Sequence, residues 1–178
     1  MRERLIALLR ELSVRTGRFT LASGRESDFY VDARQTTLNA EGAHLVGRMV
    51  VDRLHPDAVA VGGMTMGADP IVTAASLAAF SEGRHLHAFL IRKNQKDHGT
   101  GRWLEGRASV PDGAAVCIVE DTTTTGGSLL KAVERAEDAG LRVVQTLTVV
   151  DREEGASARL ADAGYTLEAL VTRSELLA

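Results

Sequence analysis

The chain reads as an α/β protein with a mostly parallel central sheet flanked by helices, and three observations carry that reading. Strand-like apolar runs recur at 58–61, 88–91, 116–119 and 143–150, and helical patterns at 70–81 and 128–139 fill two of the gaps between them. The runs are continuously apolar instead of alternating, as in strands buried on both faces of a parallel sheet. The composition, 178 residues at 44% hydrophobic and 25% charged, is that of an ordinary soluble globular chain whose core needs no disulfide or structural metal.

Taken in order, residues 2–13 form an amphipathic pattern on Leu5, Leu8, Leu9 and Leu12. Two short strands, 18–22 and 28–32, follow around the turn signal Ser23-Gly24. Asn39 is a natural N-cap for a helix over 41–54 that gathers Leu45, Val46, Met49, Val50 and Leu54 on one face. A last unit pairs a helix at 156–163 with a strand at 165–172. No repeat or linker divides the chain, so one domain over 1–178 is expected, with 1–38 as a small helix and hairpin hood attached to it. Segment 93–107 stands apart. It is polar, holds Gly99, Gly101 and Gly106 and lacks an apolar period, which predicts a long mobile loop between two core strands, the usual form of a functional lid.

Acidic residues number 24 against 21 basic, a formal charge of −3, and the isoelectric point is near 6.0. That balance offers no electrostatic footprint for nucleic acid or an anionic membrane, so anionic ligands must be met locally. Cys117 is the sole cysteine, which excludes an internal disulfide and a Cys-rich zinc site and fits a reducing cytoplasm; its apolar mid-strand setting predicts a core thiol. The N-terminal pattern is broken by Arg10 and Glu11, unlike a signal peptide. The longest uncharged stretch, 70–81, falls short of the roughly 20 apolar residues that span a bilayer. His85 and His87 sit two apart like metal ligands on a strand, but no third ligand accompanies them and they are expected at the surface.

The chemistry concentrates at 116–128. A buried strand ends in Glu120 and Asp121, then Thr122, Thr123, Thr124 and Thr125, then Gly126, Gly127 and Ser128 at the start of a helix. Ligands of open α/β sheets sit beyond the carboxyl ends of the strands, where adjacent carboxylates suit a vicinal diol. The hydroxyls, backbone N–H groups and glycines of the turn suit a phosphate at the helix N-terminus. Diol plus phosphate means a ribose 5-phosphate. No Gly-x-x-x-x-Gly-Lys run exists, and Gly99-Thr-Gly101 lacks both a third glycine and a preceding strand. Ser128 and Lys131 match the S-x-x-K nucleophile pattern, but without a Lys-Thr-Gly element that match is chance.

Segment 116–128 resembles the phosphoribosyl pyrophosphate (PRPP) motif of the type I phosphoribosyltransferases: four apolar residues, two acidic ones and a Thr-rich turn closing in Thr-Gly-Gly. The run Arg92, Lys93, Lys96, His98, Gly99, Gly101 resembles the mobile catalytic loop of the orotate branch of that family. Residues 19–32, with Ser23, Gly24, Ser27, Tyr30 and Asp32, resemble the N-terminal hairpin of that branch, and 149–155 resembles its strand-end segment, whose arginine holds orotate. The likeness spans nearly the whole chain. It implies the type I phosphoribosyltransferase fold and transfer of ribose 5-phosphate from PRPP to orotate, giving orotidine 5′-monophosphate and pyrophosphate in pyrimidine biosynthesis. It also implies Mg²⁺ bound through PRPP oxygens instead of a protein cage, and a homodimer with sites shared between subunits.

Carried onto this chain, the resemblance makes Lys96 the principal catalytic cation and Asp121 its carboxylate counterpart at the ribose. Arg92, Lys93, Lys96, His98, Glu120, Asp121, Thr122, Thr123, Thr124, Thr125, Gly126, Gly127 and Ser128 would bind PRPP, and Thr124 and Arg152 would bind orotate, Arg152 by pairing with its carboxylate. An ion pair of Arg152 with Glu153 or Glu154 is the competing reading. Departures exist: Ala22 and Met64-Thr65-Met66 stand where many bacterial relatives carry lysines, which shifts charge to the mobile loop and to Mg²⁺. Trp103 either covers the closed site or anchors the loop. Two alternatives stay open, a phosphoribosyltransferase for another base and a non-catalytic PRPP-sensing regulator; the acidic balance and short N-terminus count against the second, and the length leaves no room for a fused decarboxylase.

Overall fold

In the computed structural model, which describes residues 1–20, 26–94 and 103–178, the chain opens with α1 (Arg2–Leu8), continued by a π-helical turn (Leu9–Ser13). The hairpin β1 (Val14–Thr20) and β2 (Glu26–Val31) follows, then the short α2 (Arg34–Thr37) and α3 (Ala40–Arg53). Asn39 caps α3 as its sequence promises, its Oδ1 accepting from the N–H groups of Glu41 and Gly42 at 3.0 and 3.1 Å.

From here strands and helices alternate: β3 (Ala60–Met64), α4 (Asp69–Ser81), β4 (His87–Ile91), β5 (Leu104–Glu105), β6 (Ala115–Thr123), α5 (Gly127–Asp138), β7 (Arg142–Asp151), α6 (Ala156–Asp162), β8 (Leu167–Thr172) and α7 (Arg173–Leu177). The sheet order is β5-β4-β3-β6-β7-β8, parallel except for β5, which runs antiparallel to β4 at the edge. The chain goes from β3 outward to β4 and then returns to place β6 on the other side of β3. That reversal makes the carboxyl ends of β3 and β6 the topological switch point, where an open α/β sheet forms its ligand crevice.

Both faces of the sheet are covered, which explains the continuous hydrophobicity. Along β6, Cys117 and Val119 join the core under α3 and α4, with Val46, Met49, Ile71 and Val72. Val116 and Ile118 join the core under α5, with Phe89, Leu129 and Val133. Leu5, Leu9 and Phe29 of the N-terminal segment lie in the first of these clusters. Two glycines allow close approach: a Cβ on Gly62 would overlap the Phe89 ring, and one on Gly47 would strike the Ala74 backbone, so α3 and α4 pack in near contact.

The structure corrects one segment. The expected loop over 93–107 is not structureless at its C-terminal end, because 104–105 is the edge strand β5 and Arg107–Ser109 is a 3₁₀ turn. Leu104 supplies the apolar anchor there, 5% exposed in the core under α5. Cys117 is fully buried and burial pushes its thiol well above the ordinary range. His85 is exposed with its ring edge-on to Phe80, and His87 opens β4. Among the described residues there is no group of three or more potential metal ligands, and no helix long and apolar enough to cross a membrane.

Candidate active site

At the switch point lies a cleft of about 300 Å³. Its walls come from three places: Met64 at the end of β3 with Thr65, Met66 and Gly67 after it, Glu120, Asp121, Thr122 and Ser128 from β6 and the start of α5, and Tyr30, Val31, Asp32 and Arg34 from the hairpin and α2. Lys93, just past β4, completes it. β6 runs further than its apolar core, to Thr123, so the two carboxylates are held on rigid strand instead of in the turn.

Burial dominates their electrostatics. Desolvation, with the repulsion of neighbouring Asp121, raises the Glu120 carboxyl to about 7, against weaker opposing help from the Thr123 hydroxyl and Lys93. Asp121 is also raised, chiefly by burial, and is held back from a larger rise by the N–H of Thr122, which donates to its Oδ1 at 2.9 Å, and by Arg34. A Cβ on Gly67 would overlap the Asp121 carboxylate, so only glycine lets this loop close over it. The Thr122 hydroxyl is buried and has no hydrogen-bond partner among the described residues, and Thr122 is one of the residues lining the cleft.

The turn after β6 is built for an anion. Gly126 takes a left-handed backbone, φ 77°, and caps α5, whose free N–H groups and dipole face outward at its start. A Cβ on Gly126 would press on Leu160, and the Arg159 guanidinium of α6 lies against Gly127. Arg159 therefore adds a cation beside the cradle that sequence reasoning did not single out.

The predicted residues divide. Glu120, Asp121, Thr122, Ser128 and Lys93 line one cleft, with Thr124, Thr125 and Gly126 in the turn after β6 and Gly127 opening α5. Thr123 points inward, 1% exposed, its hydroxyl 3.4 Å from Glu120 Oε2; it supports the carboxylate from behind. Arg92 does not join them, because its Nη1 is paired with Glu105 of β5 at 2.9 Å. Arg152 is not on this cleft wall either: its N–H donates to Thr123 O at 2.9 Å, and its guanidinium pairs with Glu154 at 2.7 Å and lies 5.9 Å from the centre of the Phe29 ring. The arginine of that ion pair is buried, its side chain 9% accessible, while Glu154 is half-buried, and the Arg152 Nε lacks a partner among the described residues. Lys96 and His98 lie outside the described residues, as do Ala22, Ser23 and Gly24.

A model of the phosphoribosyl transferase domain matches residues 57–169 of the chain. An orotate phosphoribosyltransferase of Thermosynechococcus vestitus is 45% identical over 176 residues, covering 99% of this chain and 93% of that protein. The chain belongs to the orotate phosphoribosyltransferase family. Two solved structures from Mycobacterium tuberculosis H37Rv carry the same likeness into three dimensions. The orotate phosphoribosyltransferase in complex with Fe(III) dicitrate has a TM-score of 0.85 at 44% identity, covering 98% of each chain. The one in complex with PRPP has a TM-score of 0.83 at 39% identity, covering 99% of each chain.

Within an orotate phosphoribosyltransferase family member, the hood side of the cleft is what sequence reasoning described least. Asp32 grips Arg34 through two bonds, Nε to Oδ1 at 2.8 Å and Nη2 to Oδ2 at 3.2 Å, which fixes a guanidinium at the cleft wall and holds the Asp32 carboxyl below its usual range. Arg34 is a lone basic residue in a helix of four residues, so no periodicity flags it.

Proposed function

We propose that the chain transfers ribose 5-phosphate from PRPP to N1 of orotate, forming orotidine 5′-monophosphate and releasing pyrophosphate. The observation that carries the reading is the Glu120–Asp121 pair at the end of β6, running directly into the Gly126-capped start of α5 inside the switch-point cleft. The carboxylates would take the ribose hydroxyls, and the N–H groups and hydroxyls of 122–128 the 5-phosphate. Thr122 and Ser128 both line that cleft.

As the bond from C1 to pyrophosphate lengthens, positive charge grows on the ribose and negative charge on the leaving group. Glu120, pushed to about 7 by its own burial, is stabilised as an anion by a growing cation more than by a neutral sugar. This is differential binding of the transition state. Lys93 stands in the cleft for the leaving group, and Lys96 and His98 complete that role in the proposal, with Arg92 contributing only if it releases Glu105. Arg152 and Thr124 would hold orotate, the Arg152 guanidinium exchanging Glu154 for the carboxylate of the base. The proposal includes Mg²⁺. Two buried carboxylates at one strand end, Glu120 raised in part by its neighbour Asp121, fit a divalent cation, and Mg²⁺ carried on PRPP oxygens would face Glu120 and Asp121 and would neutralise the pyrophosphate.

A homodimer with shared sites and a cytoplasmic setting, where a free thiol such as Cys117 persists, belong to the same proposal; sedimentation velocity showing only monomer would remove the shared site. The reaction is tested by following orotate absorbance on adding PRPP and Mg²⁺, with adenine, hypoxanthine and uracil as parallel acceptors. Turnover with orotate alone is expected. Turnover only with another base would discard the roles of Arg152 and Thr124, and PRPP binding without turnover would favour a sensor.

A further inference from the structure

Arg135 lies in the last turn of α5, outside the cleft, and its side chain makes four contacts that converge on the base of the 93–107 segment. Nη1 donates to the carbonyl of Arg92 at 2.6 Å and lies 3.4 Å from Met64 Sδ. Nη2 donates to the carbonyl of Lys93 at 3.2 Å. The guanidinium carbon stands 4.0 Å from the centre of the Trp103 ring, where the segment returns to the sheet. The two stems are also tied to each other, Arg92 N–H donating to Trp103 O at 2.9 Å.

These contacts are chemically unusual for a helix-surface arginine. Among the described residues no carboxylate pairs with Arg135; its donors go to two backbone carbonyls and the Met64 sulfur, and its face goes to an aromatic ring. A planar guanidinium can do both at once because its donors lie in the plane and its π face is perpendicular to it. The two carbonyls it holds belong to the residues on either side of the peptide bond that delivers Lys93, and Lys93 and Met64 both line the cleft. Trp103, in turn, packs against the core under α5 and is not among the residues lining the cleft, so here it anchors the stem.

We infer that Arg135 is a positioning residue of the active site: by holding the Arg92 and Lys93 carbonyls and the Trp103 ring together, it sets where Lys93 stands against the PRPP pyrophosphate. The inference rests on reading the cleft as the PRPP site. Its energetic logic is that of binding: a cation held ready for the pyrophosphate of bound PRPP adds to PRPP affinity in ground and transition state alike, so displacing it is read in the KM for PRPP.

The test compares wild type with Arg135→Met, which keeps the bulk and removes charge and donors, and Arg135→Lys, which keeps the charge and can serve one carbonyl. The expected result for Arg135→Met is a KM for PRPP raised about tenfold, with the KM for orotate changed by less than about twofold. Arg135→Lys recovers part of the loss. Trp103 is the one tryptophan of the chain, so its emission reports the anchor directly, and in Arg135→Met it becomes more accessible to acrylamide. A purely structural role would lower the active fraction, and with it kcat, while leaving both KM values at wild type; that pattern overturns the inference. Should Arg135→Met not fold, Trp103→Leu removes the stacking alone, and a KM for PRPP raised about twofold to threefold supports the inference while an unchanged one overturns it. If the wild type turns over no orotate, the functional reading fails by itself. PRPP titration read by Trp103 emission then decides the inference: weaker PRPP binding in Arg135→Met upholds it, and equal binding, or none to either protein, overturns it.

Discussion

Replacing Glu120 by Gln should stabilise the fold while disabling the site. The Glu120 carboxyl ordinarily titrates near 4.5 and is raised to about 7 in the folded chain by burial and by Asp121. Between those two values the folded state binds the proton that the unfolded state has released, so stability falls as pH rises through this window, the reverse of the behaviour of an ion-paired carboxylate. Below the window both states are protonated and Glu120 costs nothing by this route; above it the full penalty is present. From pH 5 to pH 8 the wild type therefore loses roughly 2 to 3 kcal/mol relative to Glu120→Gln, whose amide does not titrate. For a chain of this size that is a relative Tm shift of about 5–10 °C. Urea unfolding followed by circular dichroism at both pH values measures it. The reasoning is refuted if the stability difference between the two proteins is the same at pH 5 and pH 8. The same variant should lose most of its turnover, since the amide cannot answer a growing positive charge.

Other perturbations separate the parts of the site. Gly67→Ala should cut turnover at least tenfold by displacing the Asp121 carboxylate that its methyl would overlap, with a Tm change of a few degrees; steady-state kinetics with a melting curve checks both. Arg34→Ala should raise the KM for PRPP several-fold, and because Arg34 holds the Asp121 carboxyl down, the acidic limb of the pH–rate profile should move to higher pH. Arg152→Ala should raise the KM for orotate more than that for PRPP, and equal losses would deny it a place at the base. Lys96→Ala should collapse kcat while PRPP binding by calorimetry survives in part; unchanged turnover would remove Lys96 from the chemistry.

What could be read in the sequence follows from the range of the interactions involved. The strand at 116–119, the carboxylates after it and the helix at 128 are local patterns, and the structure sets them where the pattern says, with β6 extended through Glu120 and Asp121 to Thr123. The helix behind Asn39 was equally legible, because cap and apolar face agree. β5 was not. Two residues have no period, and Leu104 is a single apolar residue in a polar, glycine-rich stretch. Missing β5 also concealed the fate of Arg92, whose partner Glu105 comes beside it only when β5 pairs with β4. Arg34 and Arg135 looked like ordinary surface cations, since a carboxylate two residues away and two carbonyls more than forty residues away leave no sequence signature. The pairing of Arg152 with Glu154 was visible as spacing, but the Phe29 ring that the guanidinium lies beside comes from the far end of the chain.

The most direct test of the account is a crystal structure of the protein with orotidine 5′-monophosphate. The account predicts the ribose hydroxyls within hydrogen-bond distance of Glu120 and Asp121, and the 5′-phosphate on the N–H groups and hydroxyls of residues 122–128. A nucleotide seated with its phosphate elsewhere, or with its ribose away from both carboxylates, would contradict it.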